Sequence, residues 1–142
     1  MRFETQVDID AEPDVVWRVL TDVETWPKWT TSMTSVQRLQ DGQFGVGSSA
    51  RVVQPRLKAA VYTVTACEPG VSFDWETRLA GLTVRATHRL QEVNPGRTRL
   101  ILGVTQSGPL DRLVWALFGQ RTRRYVTMEA EGLKRAAESQ ST

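Results

Sequence analysis

The sequence is poor in the residues that most often build metal and redox sites. Its 142 residues include one cysteine, Cys67, and one histidine, His88. A single cysteine excludes an internal disulfide and a cysteine-based zinc site, and it makes a reducing cytoplasm the expected location. A metal site would therefore have to consist mostly of carboxylates, and no spacing in the sequence suits one. We expect no metal and no cofactor.

Long apolar runs and blocks of one charge are also missing. No segment approaches the length needed to cross a bilayer, and the N-terminus has no signal-peptide pattern, so no stable membrane insertion is expected. The 18 basic and 16 acidic residues are interspersed, with a net charge of +2. Only residues 121–124 form a basic cluster, which reads as a solvated helix flank. Without a basic stripe carrying stacking aromatics, nucleic acid is not an expected partner.

Familiar catalytic motifs are absent as well. There is no Gly-x-Ser-x-Gly, no phosphate-binding loop and no dinucleotide fingerprint, so nothing in the sequence supports hydrolysis or nucleotide chemistry. The hydrophobic content of 40% is ordinary for a globular protein. The length predicts a single domain over residues 1–142 with a real core.

The longest regular segment runs from residue 109 to about residue 138. At about 100° per residue its apolar side chains share one side, which predicts an amphipathic helix that buries this stripe against a sheet. Pro109 suits the first turn, and Gly119 marks either a kink or the end of a short leading helix. The stripe comprises Leu110, Val114, Leu117, Phe118, Tyr125, Met128, Gly132, Leu133 and Ala136.

The chain before this helix reads as short elements separated by turn signals. Residues 3–9 alternate as a half-buried strand, and two short helices follow, over 15–20 and 23–26. Turn residues then recur about every ten positions, which indicates an antiparallel meander. Strands are expected near 34–40, 48–55, 58–67, 71–79, 82–93 and 98–106, making about seven with the first.

Three local patterns accompany this order of elements, at residues 9–17, 21–29 and 128–134. They include Asp10-Ala11-Glu12-Pro13 and Trp26-Pro27-Lys28-Trp29. With these patterns the whole chain resembles the START/polyketide cyclase-dehydrase superfamily, which includes birch-pollen-allergen-like proteins, and its bacterial single-domain members above all. The resemblance implies an α+β helix-grip fold, in which a curved antiparallel sheet of about seven strands wraps around the C-terminal helix. It also implies an apolar cavity between sheet and helix.

The strand phases indicate which side chains face that cavity. In residues 82–90, alternation puts Val84, Ala86 and His88 on the apolar, inward face. Phe73 and Trp75 share the inward face of the preceding strand. As the sole histidine, His88 is either a buried side chain satisfied by one partner or an acid–base group. The expected cavity residues are Trp29, Phe73, Trp75, Val84, Ala86, His88, Leu102, Phe118, Arg121, Tyr125 and Met128.

Several positions have two readings. Arg121 and Glu129 lie in or beside the helix stripe, and each either extends past the sheet edge to water or pairs with a polar end of a ligand. Trp29 is either packing or part of a lid at the cavity mouth. Tyr62 remains ambiguous because residues 58–67 fit either register. Cys67 reads as a small buried hydrophobe.

Three functions are compatible with these features. The first is binding of an apolar or amphipathic molecule, lipid-like or polyketide-like, by a cytoplasmic monomer or homodimer. The second is a polyketide cyclase or dehydratase that uses His88 as acid–base group, with Arg121 or Tyr125 steadying the developing oxyanion. The third is a regulatory module that meets an acidic protein through residues 121–124.

Overall fold

The secondary structure follows the expected order of elements. The computed structural model describes residues 1–140, so the last two residues of the expected 1–142 domain lie outside the described residues. Elements, in chain order, are β1 (Arg2–Ile9), α1 (Pro13–Thr21), a 3-10 helix (Val23–Lys28), β2 (Ser35–Arg38), β3 (Ser49–Val53), β4 (Ala60–Glu68), β5 (Ser72–Leu79), β6 (Leu82–Asn94), β7 (Arg97–Ser107) and α2 (Asp111–Gln140).

All seven strands belong to one antiparallel sheet. Their order is β1-β7-β6-β5-β4-β3-β2, so β2 to β7 form a continuous meander and β1 pairs with the last strand. The sheet curves around α2, which confirms the predicted helix-grip architecture. None of the helices in residues 1–140 is long and apolar enough to cross a membrane.

A bulge in β4 explains why its register could not be read from the sequence. Pairing with β5 shifts between Val64 and Ala66, so one extra residue is inserted in β4. Before the bulge, Tyr62 and the buried Val64 face inward at even positions. After it, Cys67 is the residue opposite the buried Phe73. The inward phase changes from even to odd within one strand, so no single alternation fits it.

The dry core lies at the end of the molecule where the C-terminal half of α2 packs. Ala130, Leu133 and Ala137 are at most 3% exposed. Gly132 lies directly against Trp29, since a Cβ added there would overlap the backbone carbonyl of Trp29. The loop after the 3-10 helix is therefore held against the helix by a position that has no side chain.

The N-terminal half of α2 departs from the predicted stripe. Leu110, Leu117 and Phe118 were expected to be buried but are 42%, 67% and 38% exposed. The buried positions in this half are instead Trp115 and Gly119. Phe118 is exposed because it borders a cavity, whereas Leu117 lies on the outer flank of the helix.

The boundaries of α2 correct two further expectations. The helix starts at Asp111, two residues after Pro109, and runs unbroken to Gln140. Gly119 thus does not mark a helix end. A Cβ at Gly119 would stand 3.2 Å from the ring of Trp115, so the glycine leaves room for that side chain.

Candidate ligand-binding cavity

A cavity of about 530 Å³ separates the concave face of the sheet from the N-terminal half of α2. Its volume falls in the range typical of small-molecule sites, and its walls are mostly apolar. The sheet provides one wall and the helix the other, as the resemblance implied.

The sheet wall is built from alternate residues of neighbouring strands. Trp75, Ala86 and Val104 are cross-strand neighbours in one row, and His88 pairs with Leu102 in the next row. All five line the cavity. Of the expected cavity residues, the structure places seven in the lining: Trp75, Val84, Ala86, His88, Leu102, Phe118 and Tyr125.

The helix wall comes from one arc of α2. Taking Phe118 as reference and about 100° per residue, the lining positions Val114, Thr122, Tyr125, Val126 and Glu129 span about 120° around it. Tyr125 also anchors the helix to the loop after β3. Its hydroxyl donates a hydrogen bond of 2.7 Å to the Pro55 carbonyl oxygen.

Arg121 and Met128 are corrections to the expected cavity. Both line a separate depression on the outer flank of α2. By the same helical arithmetic they lie just past the edge of the cavity-facing arc. The guanidinium of Arg121 sits 5.8 Å from the ring centre of Phe118.

Phe73 and Trp29 are the other two corrections. Phe73 is fully buried, and its ring stacks on His88 with centroids 4.1 Å apart, so it lies behind the lining. Trp29 packs against Gly132 and against Trp26, whose ring centre is 5.9 Å away. Phe73 is a core residue, Trp29 is partly buried against the core, and neither lines the cavity.

His88 is held as a neutral ring. Its Nδ1 lies 3.1 Å from the Phe73 carbonyl oxygen. Because that oxygen only accepts, Nδ1 carries the proton and Nε2 keeps the lone pair. Burial lowers the pKa of His88 to about 4, although the hydrogen bond to Phe73 acts in the opposite direction. A base this weak is poorly matched to proton transfer near neutral pH.

Glu129 is the functional candidate that the sequence left undecided. It lines the cavity, and burial alone raises the pKa of its carboxyl group to about 8. Within residues 1–140 it makes no hydrogen bond or ion pair. Tyr62 is close enough for the charge of Glu129 to act on its hydroxyl, although burial is the larger cause that raises the pKa of Tyr62 to about 12.

A row of polar side chains crosses the sheet wall near these two residues. Gln106 pairs with Val84, Val84 pairs with Thr77, and the β4–β5 register extends to put Tyr62 opposite Thr77. The Oε1 atom of Gln106 is buried and finds no donor in the described part of the chain. Sequence reasoning missed Gln106, and it left Thr77 out of the expected cavity residues although alternation puts Thr77 on the same face as Phe73 and Trp75.

A family model described as polyketide cyclase/dehydrase and lipid transport matches residues 1–138. The chain belongs to this family. Family membership and the helix-grip fold together connect the chain with binding of hydrophobic ligands.

Solved structures share the fold at low sequence identity. A hypothetical protein of Helicobacter pylori matches with a TM-score of 0.83 at 14% identity, covering 96% of this chain and 88% of that one. A Streptomyces aromatase/cyclase matches at 0.78 and 17% identity, covering 100% and 96%. A START superfamily protein of Mycobacterium smegmatis matches at 0.69 and 14% identity, covering 99% and 96%.

Curated relatives of this family member match over a shorter stretch. An uncharacterized protein of Mycobacterium tuberculosis is 35% identical over 54 residues, which are 38% of this chain and 32% of that protein. The match therefore spans about a third of the relative's length.

Proposed function

We propose that this protein binds an apolar or amphipathic small molecule, lipid-like or polyketide-like, in the cavity between the sheet and α2. The observation that carries the proposal is the mostly apolar cavity of about 530 Å³. A core packed only for stability leaves few voids larger than a water molecule. A cavity of this size costs stability, and a bound apolar molecule would recover the lost contacts. The proposed location is the cytoplasm, which rests on the lone Cys67.

Carriage is favoured over catalysis through His88. The ring of His88 is stacked on Phe73 and its Nδ1 proton is committed to a carbonyl oxygen. Its lowered pKa leaves Nε2 as a weak base, and Arg121, one of the expected oxyanion partners, lies outside the cavity. Nothing in this geometry makes the His88 ring basic enough to remove a proton from a carbon next to a carbonyl group.

Native mass spectrometry of freshly purified protein tests the proposal by looking for a retained small molecule. A second test fills the cavity with Ala86→Trp, since Ala86 lies in the lining between Trp75 and Val104. In the wild type, long-chain apolar ligands should raise the melting temperature by mass action. In Ala86→Trp this response should disappear.

Arg89→Trp is the matched control because Arg89 is on the same strand but exposed. It should respond like the wild type. A wild-type protein that retains no molecule and whose melting temperature is unchanged by lipids, aromatic polyketides and sterols would contradict the proposal.

A further inference from the structure

The cavity contains a carboxyl group beside aromatic faces. Tyr62 and Trp75, both in the lining, have ring centres 5.4 Å apart, and Trp26 stands 5.3 Å from Trp75. Glu129 projects from the helix wall close enough to Tyr62 to act on it electrostatically. Aromatic faces next to a carboxylate are the usual surroundings of a bound ammonium group.

The polar groups nearby lack partners. Within residues 1–140, the carboxyl group of Glu129 and the hydroxyls of Tyr62 and Thr77 make no hydrogen bond, and Oε1 of Gln106 is an unpaired acceptor. Buried polar groups are normally satisfied, so the buried Oε1 of Gln106 indicates a missing partner, and the other three groups line the cavity, where a ligand can reach them. Every one of these groups accepts hydrogen bonds.

We propose that the ligand carries a basic amine, held as an ammonium ion between the carboxylate of Glu129 and the aromatic faces of Tyr62 and Trp75. The inference rests on the proposed function and names the chemical class of its ligand: an amphipathic amine whose apolar part fills the rest of the cavity. An ammonium group supplies up to three donors to acceptors that now have none.

The same geometry disfavours two alternatives. A carboxylate head group gains no ion pair here, because Glu129 must either stay protonated or face the ligand as a like charge, which is costly. An alcohol would gain neutral hydrogen bonds only, and these are about half as strong as charge-assisted ones. The amine therefore gains most from this site.

Binding of the amine moves one proton. Because burial raises the pKa of Glu129 to about 8, its carboxyl group is mostly protonated at pH 7 before binding. When the ammonium ion enters, the carboxyl group ionises and its proton leaves to the solvent, while the amine keeps its own. No cation among residues 1–140 lowers the pKa of Glu129. The other titratable groups that line the cavity are Arg56, Lys58, Tyr62, His88 and Tyr125.

The test compares dodecylamine, dodecanol and dodecanoate, which share one apolar chain and differ in the head group. Isothermal titration at pH 7, below the micelle concentrations, should show dodecylamine binding about tenfold or more tightly than dodecanol, as expected for a charge-assisted hydrogen bond. Repeating the titration in phosphate and in Tris, which differ in ionisation enthalpy, should reveal about one proton released per amine.

Glu129→Gln keeps the shape and removes the charge, so it should lose both the preference for the amine and the proton release. Glu131→Gln is the control, because Glu131 is exposed on the same helix. The wild-type comparison of head groups stands by itself if Glu129→Gln does not fold.

The outcomes separate the two proposals. If the three ligands bind equally well to the wild type, or if Glu129→Gln retains the preference, the amine inference is overturned while the cavity proposal survives. If dodecanoate binds most tightly, the inference is overturned as well. If none of the three binds, the proposed function loses its support along with the inference.

Discussion

Stability as a function of pH offers a quantitative test of the two buried ionisable groups. Burial shifts both towards their neutral forms, in opposite directions: the pKa of Glu129 rises from 4.5 to about 8 and that of His88 falls from 6.5 to about 4. The free energy of unfolding follows the difference in bound protons between the unfolded and folded states. The perturbations are Glu129→Gln and His88→Gln, each of which removes one titration.

For Glu129, both states hold the proton below pH 4.5. Between pH 4.5 and about 8 the unfolded chain loses its proton and the folded protein keeps it, so stability falls as pH rises. Each pH unit is worth about 1.4 kcal/mol, which gives about 5 kcal/mol over the whole interval. Above about pH 8 the loss is complete.

For His88 the sign is reversed. Between pH 6.5 and about 4 the unfolded chain gains a proton and the folded protein does not, so stability falls as pH is lowered. The interval corresponds to about 3 kcal/mol. From pH 4.5 to 6.5 the two slopes cancel, and from 6.5 to 8 Glu129 acts alone, with a loss of about 2 kcal/mol.

Urea denaturation followed by tryptophan fluorescence from pH 4 to 9 measures these curves. In Glu129→Gln, the free energy of unfolding should no longer fall between pH 6.5 and 8. It should instead decrease as the pH is lowered below 6.5, which it does not do in the wild type between pH 6.5 and 4.5. In His88→Gln, the free energy of unfolding should decrease steadily as the pH rises from 4.5 to 8. Shared contributions, such as the lowered pKa values of Asp8 and Glu138, cancel in the differences. Parallel curves for wild type and Glu129→Gln would refute the burial of that carboxyl group.

Two further predictions concern α2. Gly132→Ala should destabilise the protein by about 1–3 kcal/mol, although alanine normally favours a helix, because the new methyl group would meet the Trp29 backbone. Gly119→Ala should cost less stability in urea denaturation, because its methyl group meets only the movable Trp115 side chain. Phe118→Ala should cost about 1 kcal/mol, because Phe118 borders the cavity and is 38% exposed. Leu133→Ala, at a dry core position, should cost about 2–5 kcal/mol. Equal costs at the two positions in urea denaturation would contradict the placement of the cavity.

The sequence by itself determined the features that arise from local interactions. Turn residues such as Ala80-Gly81 divide the strands, and Gly81 adopts the positive φ of 73° that its turn requires. The alternation in β6 was enough to put Val84, Ala86 and His88 on the inner face. Local sequence suffices for such features because period-two alternation and turn conformation depend on neighbouring residues only.

Only the tertiary structure decided which arc of α2 faces the cavity. Apolar periodicity finds a stripe, but solvent covers part of that stripe at Leu117, and the cavity faces an arc that includes Thr122 and Glu129. The bulge in β4 likewise sets the inward position of Tyr62. The pKa values of Glu129 and His88 are shifted mainly by desolvation, because elements distant in sequence surround both side chains. Desolvation depends on the groups that surround a side chain in space, not on its neighbours in sequence.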